Sequence, residues 1–164
     1  RMDPGDSGTG MSARVQRQRG MTVVELLIIL AIIATVASML IPALMQAIAN
    51  TKVKMAITDI ATISFSVNQF FKENDELPDD LDELDGPIPR IDPWGREYVY
   101  RPSTAKDWNG KRRRERWMNP LNTDFDVYSV GPDGESRAPL PPPVSHDDVI
   151  RANGGTYIGL AWKF

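Results

Sequence analysis

Residues 21–48 read MTVVELLIILAIIATVASMLIPALMQAI, and this block decides how the rest of the chain is read. Between positions 26 and 44 the only polar side chains are Thr35 and Ser38. These nineteen residues, at about 1.5 Å rise each, make roughly 28 Å of helix, close to the ~30 Å hydrocarbon core of a bilayer. A helix satisfies its own backbone groups, which lipid cannot do. A secretory signal peptide has a shorter apolar core of about 7–15 residues that ends at a small-residue cleavage site. This run is longer and passes into a patterned helix, so the spacing predicts a membrane helix that is retained.

The residues around the block give it a direction. The chain has 164 residues, 41% hydrophobic and 25% charged, with no cysteine and one histidine. That length allows one domain and an appendage. Without cysteine there is neither a disulfide framework nor a thiolate metal site. The net charge of −3 is unevenly spread: residues 1–20 carry four Arg and two Asp, or +2, leaving −5 on residues 21–164. An acidic body argues against general nucleic-acid binding, and no nucleic-acid partner is expected. Arg14, Arg17 and Arg19 precede the block, and no equally dense positive cluster follows it. The positive-inside rule then predicts a single pass with the N-terminus cytoplasmic and residues after about 50 across the membrane. Translation from Met11 gives the short basic leader MSARVQRQRG; Met2 is the other candidate start, and the stretch before Met11 reads as disordered.

Three residues do not fit a plain anchor. Glu25 stands at the edge of the apolar run, where a carboxylate costs about 2.5–3.5 kcal/mol if driven to mid-bilayer. It either lies at headgroup level or has a dedicated partner. Cleavage after Gly20 makes Met21 a new α-amino terminus, and that ammonium, four residues from Glu25, is able to pair within the chain or with a neighbour. Pro42 removes one helix hydrogen bond and is expected to kink or loosen the helix.

The run Arg19-Gly20-Met21-Thr22-Val23-Val24-Glu25-Leu26-Leu27, with the apolar stretch and Pro42 behind it, resembles the class III signal of type IV pilins and pseudopilins. The resemblance implies that a prepilin peptidase cuts after Gly20 and methylates Met21, where Phe is usual in the family. It also implies that Glu25, the fifth mature residue, neutralises the amine of an adjacent subunit during assembly, and that Pro42 is the family's helix-bending proline.

Beyond the block, Ala49, Val53, Ala56, Ile60, Ile63, Val67 and Phe70 recur at alternating spacings of four and three. This is the stripe of an amphipathic helix, widened by Ile57 and Phe71, that buries one face in its own domain and ends near Asn74, before Pro78. Residues 73–85 hold eight carboxylates and read as a solvated acidic loop anchored by Leu81 and Leu84. The basic run Lys111-Arg112-Arg113-Arg114-Glu115-Arg116 reads as a solvated loop, or as a contact complementary to that acidic loop on a neighbour. Asp92-Pro93-Trp94-Gly95 is a turn feeding a strand around Tyr98-Val99-Tyr100. A second strand covers 125–130, ended by Gly131-Pro132-Asp133-Gly134, and a third lies within 156–162. The expected fold is α+β: a long N-terminal helix, half transmembrane and half amphipathic, packed on a small antiparallel sheet. The expected divisions are a leader over 1–20, a transmembrane and assembly helix over 21–48, and a globular head over 49–164.

The Asp-Pro-Trp-Gly-x-x-Tyr-x-Tyr and Asp-x-Tyr-Ser-x-Gly-x-Asp-Gly segments resemble the major pseudopilins of type II secretion systems. In that group the loop after Gly-x-Asp-Gly binds one calcium ion, which points here to Asp133, Asp147 and Asp148. Carboxylates and backbone carbonyls on a Gly-rich turn do suit a hard cation; a turn at Asp133-Gly134 and a helix cap at Asp147-Asp148 suit the same residues. The linker over 136–145 is proline-rich where the group has a Gly-rich loop, and the tail over 151–164 runs past the end of many members.

The function implied is a structural subunit that polymerises into a periplasmic pseudopilus and drives export of folded proteins. The implied partners are copies of itself, minor pseudopilins, the prepilin peptidase, an inner-membrane assembly platform, a secretion ATPase and membrane lipid. A type IV pilus pilin, for adhesion, motility or DNA uptake, is the alternative. Nothing suggests an enzyme: the lone His146 sits between Ser145 and Asp147, and neither a phosphate loop nor HExxH occurs.

Overall fold

A computed structural model describes residues 20–116 and 119–164. The basic leader, with Arg14, Arg17, Arg19 and the candidate starts Met2 and Met11, lies outside the described residues. The chain divides into two compact units, Arg1–Pro42 and Ala43–Phe164. One helix, α1 (Val23–Asn74), supplies the described part of the first unit apart from residues 20–22, and the beginning of the second. It ends at the predicted residue and runs through Pro42 without interruption.

In the second unit the stripe is packed from Val53 onward, while its first member, Ala49, is exposed. Ala56, Ile60, Ile63 and Val67 are fully buried, and Val53, Ile57 and Phe70 pack at their margin. Phe71 departs from the expectation: it is 44% exposed, one residue past the packed stripe.

The sheet is a four-stranded antiparallel meander in the order β1 (Val99–Pro102), β2 (Phe125–Ser129), β3 (Val149–Ala152) and β4 (Tyr157–Leu160). Alternation along β2 separates two faces. Phe125 and Val127 join Tyr98, Val149 and the α1 stripe in the main core. Tyr128 points the other way, to a second cluster of Leu121, Leu140, Ile150, Ala152 and Ala161. The sheet is therefore covered on both sides, by α1 on one and by the long β1–β2 and β2–β3 connections on the other.

Double coverage explains why only three strands are legible in the sequence. β3 is four residues long and buried throughout, Val-Ile-Arg-Ala, so it has no polar alternation to read. Its Arg151 is buried by a specific arrangement. The guanidinium lies over the Phe125 ring at 3.9 Å, donates to the Phe125 carbonyl at 2.9 Å, and forks onto both oxygens of Asp124 at 2.9 and 2.7 Å. Burial raises the Asp124 carboxyl, but the Arg151 hydrogen bonds outweigh it and hold the pKa below the ordinary carboxylate value.

The acidic loop is anchored as expected: Leu81 and Leu84 are buried, and Tyr100 donates to the Pro78 carbonyl at 3.1 Å. Tyr98, just before β1, donates to Asp59 on α1 at 2.8 Å.

Truncating Ile60 or Ile63 to Ala is expected to cost about 2–5 kcal/mol in chemical denaturation, whereas exposed Phe65 to Ala stays within about 0.5 kcal/mol. Because the Asp124 pKa is depressed on folding, its stabilising contribution is complete above the unfolded carboxylate value of ~3.9 and is lost as pH falls through the lower folded value. Asp124→Asn should therefore flatten the acid limb of the stability–pH curve below about pH 4.

Candidate functional site

The N-terminal site begins at Gly20. Thr22 sits immediately before α1, and its Oγ1 accepts a hydrogen bond from the Glu25 amide at 3.2 Å. The first main-chain bond of the helix, from the Leu26 amide to the Thr22 carbonyl, is 3.1 Å. Thr22-Val-Val-Glu25 thus has the spacing of a capping box, with the hydroxyl satisfying an otherwise orphan N–H. The Thr-x-x-Glu spacing is the signal from which this role of Thr22 is legible. Glu25 also places a negative charge in the first helical turn, where the macrodipole favours it. Among the described residues no cation lies within ion-pair distance of its carboxylate.

Downstream the helix surface is apolar and bare. Leu26, Leu27, Ile28, Leu30, Ile32, Ile33 and their successors to Ile48 are exposed on every side. The two hydroxyls bond inside the helix, Thr35 to the Ala31 carbonyl and Ser38 to the Thr35 carbonyl at 2.7 Å. The segment therefore offers no unsatisfied hydroxyl to a hydrocarbon environment. At Pro42 the ring removes the donor that would have served the Ser38 carbonyl.

The second group of candidate residues lies between β2 and β3. Asp92 organises its base: Oδ1 accepts from the Trp94 and Arg96 amides at 3.0 and 2.9 Å, and Oδ2 accepts from the Ser129 hydroxyl at 2.5 Å. Ser129 Oγ in turn accepts from the Gly131 amide at 3.1 Å. The Asp-Pro-Trp-Gly turn and the end of β2 are one hydrogen-bonded unit. Arg96, delivered by that turn, donates to the Gly131 and Pro132 carbonyls at 2.6 and 3.3 Å. Gly134 leaves room for its guanidinium, since a Cβ there would lie 2.5 Å from Arg96 Nε.

Asp133 and Asp147 are neighbours: the Asp133 amide donates to Asp147 Oδ2 at 3.2 Å, while Asp133 Oδ1 accepts from the Glu135 amide at 2.9 Å. Asp148 points elsewhere. It is fully buried, and its Oδ2 receives Arg113 Nη2 at 2.5 Å and the Ser136 hydroxyl at 2.6 Å. Burial raises its pKa to about 6 against the pull of Arg113. Among the described residues no three acidic or histidine side chains converge as a metal cage. The donor set therefore does not fit calcium as it stands, because Asp148 faces a guanidinium and the turn carbonyls face Arg96.

Arg113 was expected in a solvated run. It is instead 2% exposed, because the β1–β2 connection folds over the sheet and carries it inward across Tyr128, 4.5 Å from the ring centroid.

Residues 15–41 match the family described as the prokaryotic N-terminal methylation motif. Over most of its length the chain is also similar to proteins named type II secretion system core protein G. That of Dickeya chrysanthemi is 26% identical, covering 85% of this chain and 90% of the relative. That of Pectobacterium carotovorum subsp. carotovorum is 25% identical, covering 81% and 90%. That of Escherichia coli strain K12 is 26% identical over 73% and 85%. The chain is thus similar to the pseudopilins of the core protein G group, at its N-terminal motif and over most of its length. No solved structure matches it.

The methylation motif ends one residue before Pro42, so Gly20, Met21 and Glu25 all fall inside the matched segment. The head motifs lie outside it, and their likeness rests on the whole-length relatives.

Thr22→Ala is expected to cost about 1 kcal/mol of helix-end stability, read as faster amide exchange at Glu25 in detergent micelles. Gly131 has φ +68°, and a Cβ there would meet the Asp147 carbonyl oxygen at 2.5 Å. Gly131→Ala should destabilise the head by at least about 1 kcal/mol in thermal unfolding.

Proposed function

We propose that this chain is a pseudopilin, inserted in the inner membrane through residues 21–48, with its head in the periplasm. It is cleaved after Gly20 by a prepilin peptidase and drawn into a pseudopilus of a type II secretion system. The observation that carries this reading is a fully exposed apolar helix surface headed by Glu25, a carboxylate with no cation beside it among the described residues. In lipid that surface is covered by acyl chains; in a filament it is covered by the same surface of neighbouring copies. Moving a carboxylate into such a bundle is unfavourable unless a counter-charge meets it. The amine created at Met21 is the group positioned to do so, from the same or an adjacent subunit.

In this reading the subunit does no chemistry of its own. An assembly platform and a secretion ATPase extract successive subunits from the bilayer, minor pseudopilins complete the tip, and the growing rod pushes folded proteins outward. The bare helix would serve a type IV pilus equally. Likeness along the head to core protein G of type II secretion favours the secretion filament.

Glu25→Ala should leave cleavage intact and abolish filament assembly, seen as a processed subunit that gives no crosslinked ladder. Normal ladders from that variant would refute the pairing. A bulky residue at Gly20 should leave only the precursor mass.

A further inference from the structure

The linker between β2 and β3 joins the sheet's two central strands, and its polar oxygens are met by arginine nitrogens. Arg113 comes from the β1–β2 connection. Its Nη1 donates to the Ser136 hydroxyl and, at 2.7 Å, to the Arg137 carbonyl, while Nη2 forms the ion pair with Asp148. Its own amide donates to buried Asp126 at 2.6 Å, so the backbone is pinned along with the side chain. Arg96 takes the Gly131 and Pro132 carbonyls at the other end of the linker. A carboxylate, a hydroxyl and three carbonyls, the donor types a hard cation collects, are thus held by two guanidinium groups.

We propose that Arg113, assisted by Arg96, is the internal cation that fastens the C-terminal lobe of this head, and that the lobe is ordered without calcium. A divalent ion entering at Asp148 would have to displace a guanidinium buried with its carboxylate, leaving that charge unpaired in the interior. Asp148 Oδ1 is buried without a partner, but no acidic or histidine cluster converges on it among the described residues. The linker sequence agrees with this division of labour. Pro139, Pro141, Pro142 and Pro143 restrict the unfolded chain, so less enthalpic fastening is needed than in a Gly-rich loop. The inference rests on the head alone and does not depend on filament assembly.

The test uses the full chain in detergent micelles, with calcium chloride as the probe. The melting temperature should be the same in excess chelator and in millimolar calcium. Amide exchange over 131–148 should also be the same in both. Arg113→Met should lower the melting temperature by about 5–10 °C, as expected for breaking a buried pair. Arg113→Lys, which keeps the charge but loses the fork, should fall between, and it serves if the Met variant does not accumulate. A calcium-dependent rise of more than about 3 °C in the wild type, or calcium-dependent protection over 131–148, overturns the proposal. So does an Arg113 variant that melts like the wild type.

Discussion

The constraint on which everything else depends is that the surface of residues 21–48 has to be covered by something other than water. Between residues 26 and 44 its side chains are apolar apart from two hydroxyls, Thr35 and Ser38, both already bonded to the backbone of their own helix. Only hydrocarbon or an equivalent helix covers such a surface without a large hydrophobic cost. Membrane insertion and side-by-side packing are two solutions to one problem. A subunit able to move between them needs no change of fold. Glu25 makes the two solutions inequivalent, since a carboxylate tolerates the lipid headgroup region and not the interior of an apolar bundle.

The head solves a different problem with the same helix. From about Val53 onward α1 is one-sided, and its stripe is hidden by the tyrosine and valine face of the sheet. The reverse face of the sheet is hidden by the β1–β2 and β2–β3 connections, which bring Arg113 and Asp148 together in the interior. Arg113, Arg151, Asp126 and Asp148 are all at the sheet and nearly inaccessible. Each is matched by a forked ion pair or several hydrogen bonds, the condition under which buried charge is tolerated. Such groups add little net stability, but a wrong register would leave each of them stranded.

What was legible in the sequence follows from the range of the interactions. The N-terminal block, the α1 stripe and its end at Asn74 are local patterns with a fixed period, and the structure has them where the spacing puts them. The Thr22 cap is not among those readings, although its Thr-x-x-Glu spacing is a local signal of the same kind. β3 was not legible, because a short strand buried on both faces loses the alternation that marks strands. Arg113 was not either: its side-chain partners Ser136, Arg137 and Asp148 lie 23, 24 and 35 residues away. Nothing within a basic run distinguishes the one residue that turns inward. Asp133, Asp147 and Asp148 show the same limit: a family pattern assembled them into one cage, and the three-dimensional arrangement sends Asp148 to a different partner from the other two.

The cap at the start of α1 bears on how the chain would tolerate the proposed loss of its leader. Both bonds that close the first turn, from the Glu25 and Leu26 amides to Thr22, lie downstream of the Gly20–Met21 peptide. Scission at that peptide subtracts neither of them. The rod begins two residues inside the proposed cut, already capped, so trimming there would expose an ammonium group beside an intact helix and not a fraying end. Under the proposed cleavage, maturation would in that sense be a change of charge without a change of shape.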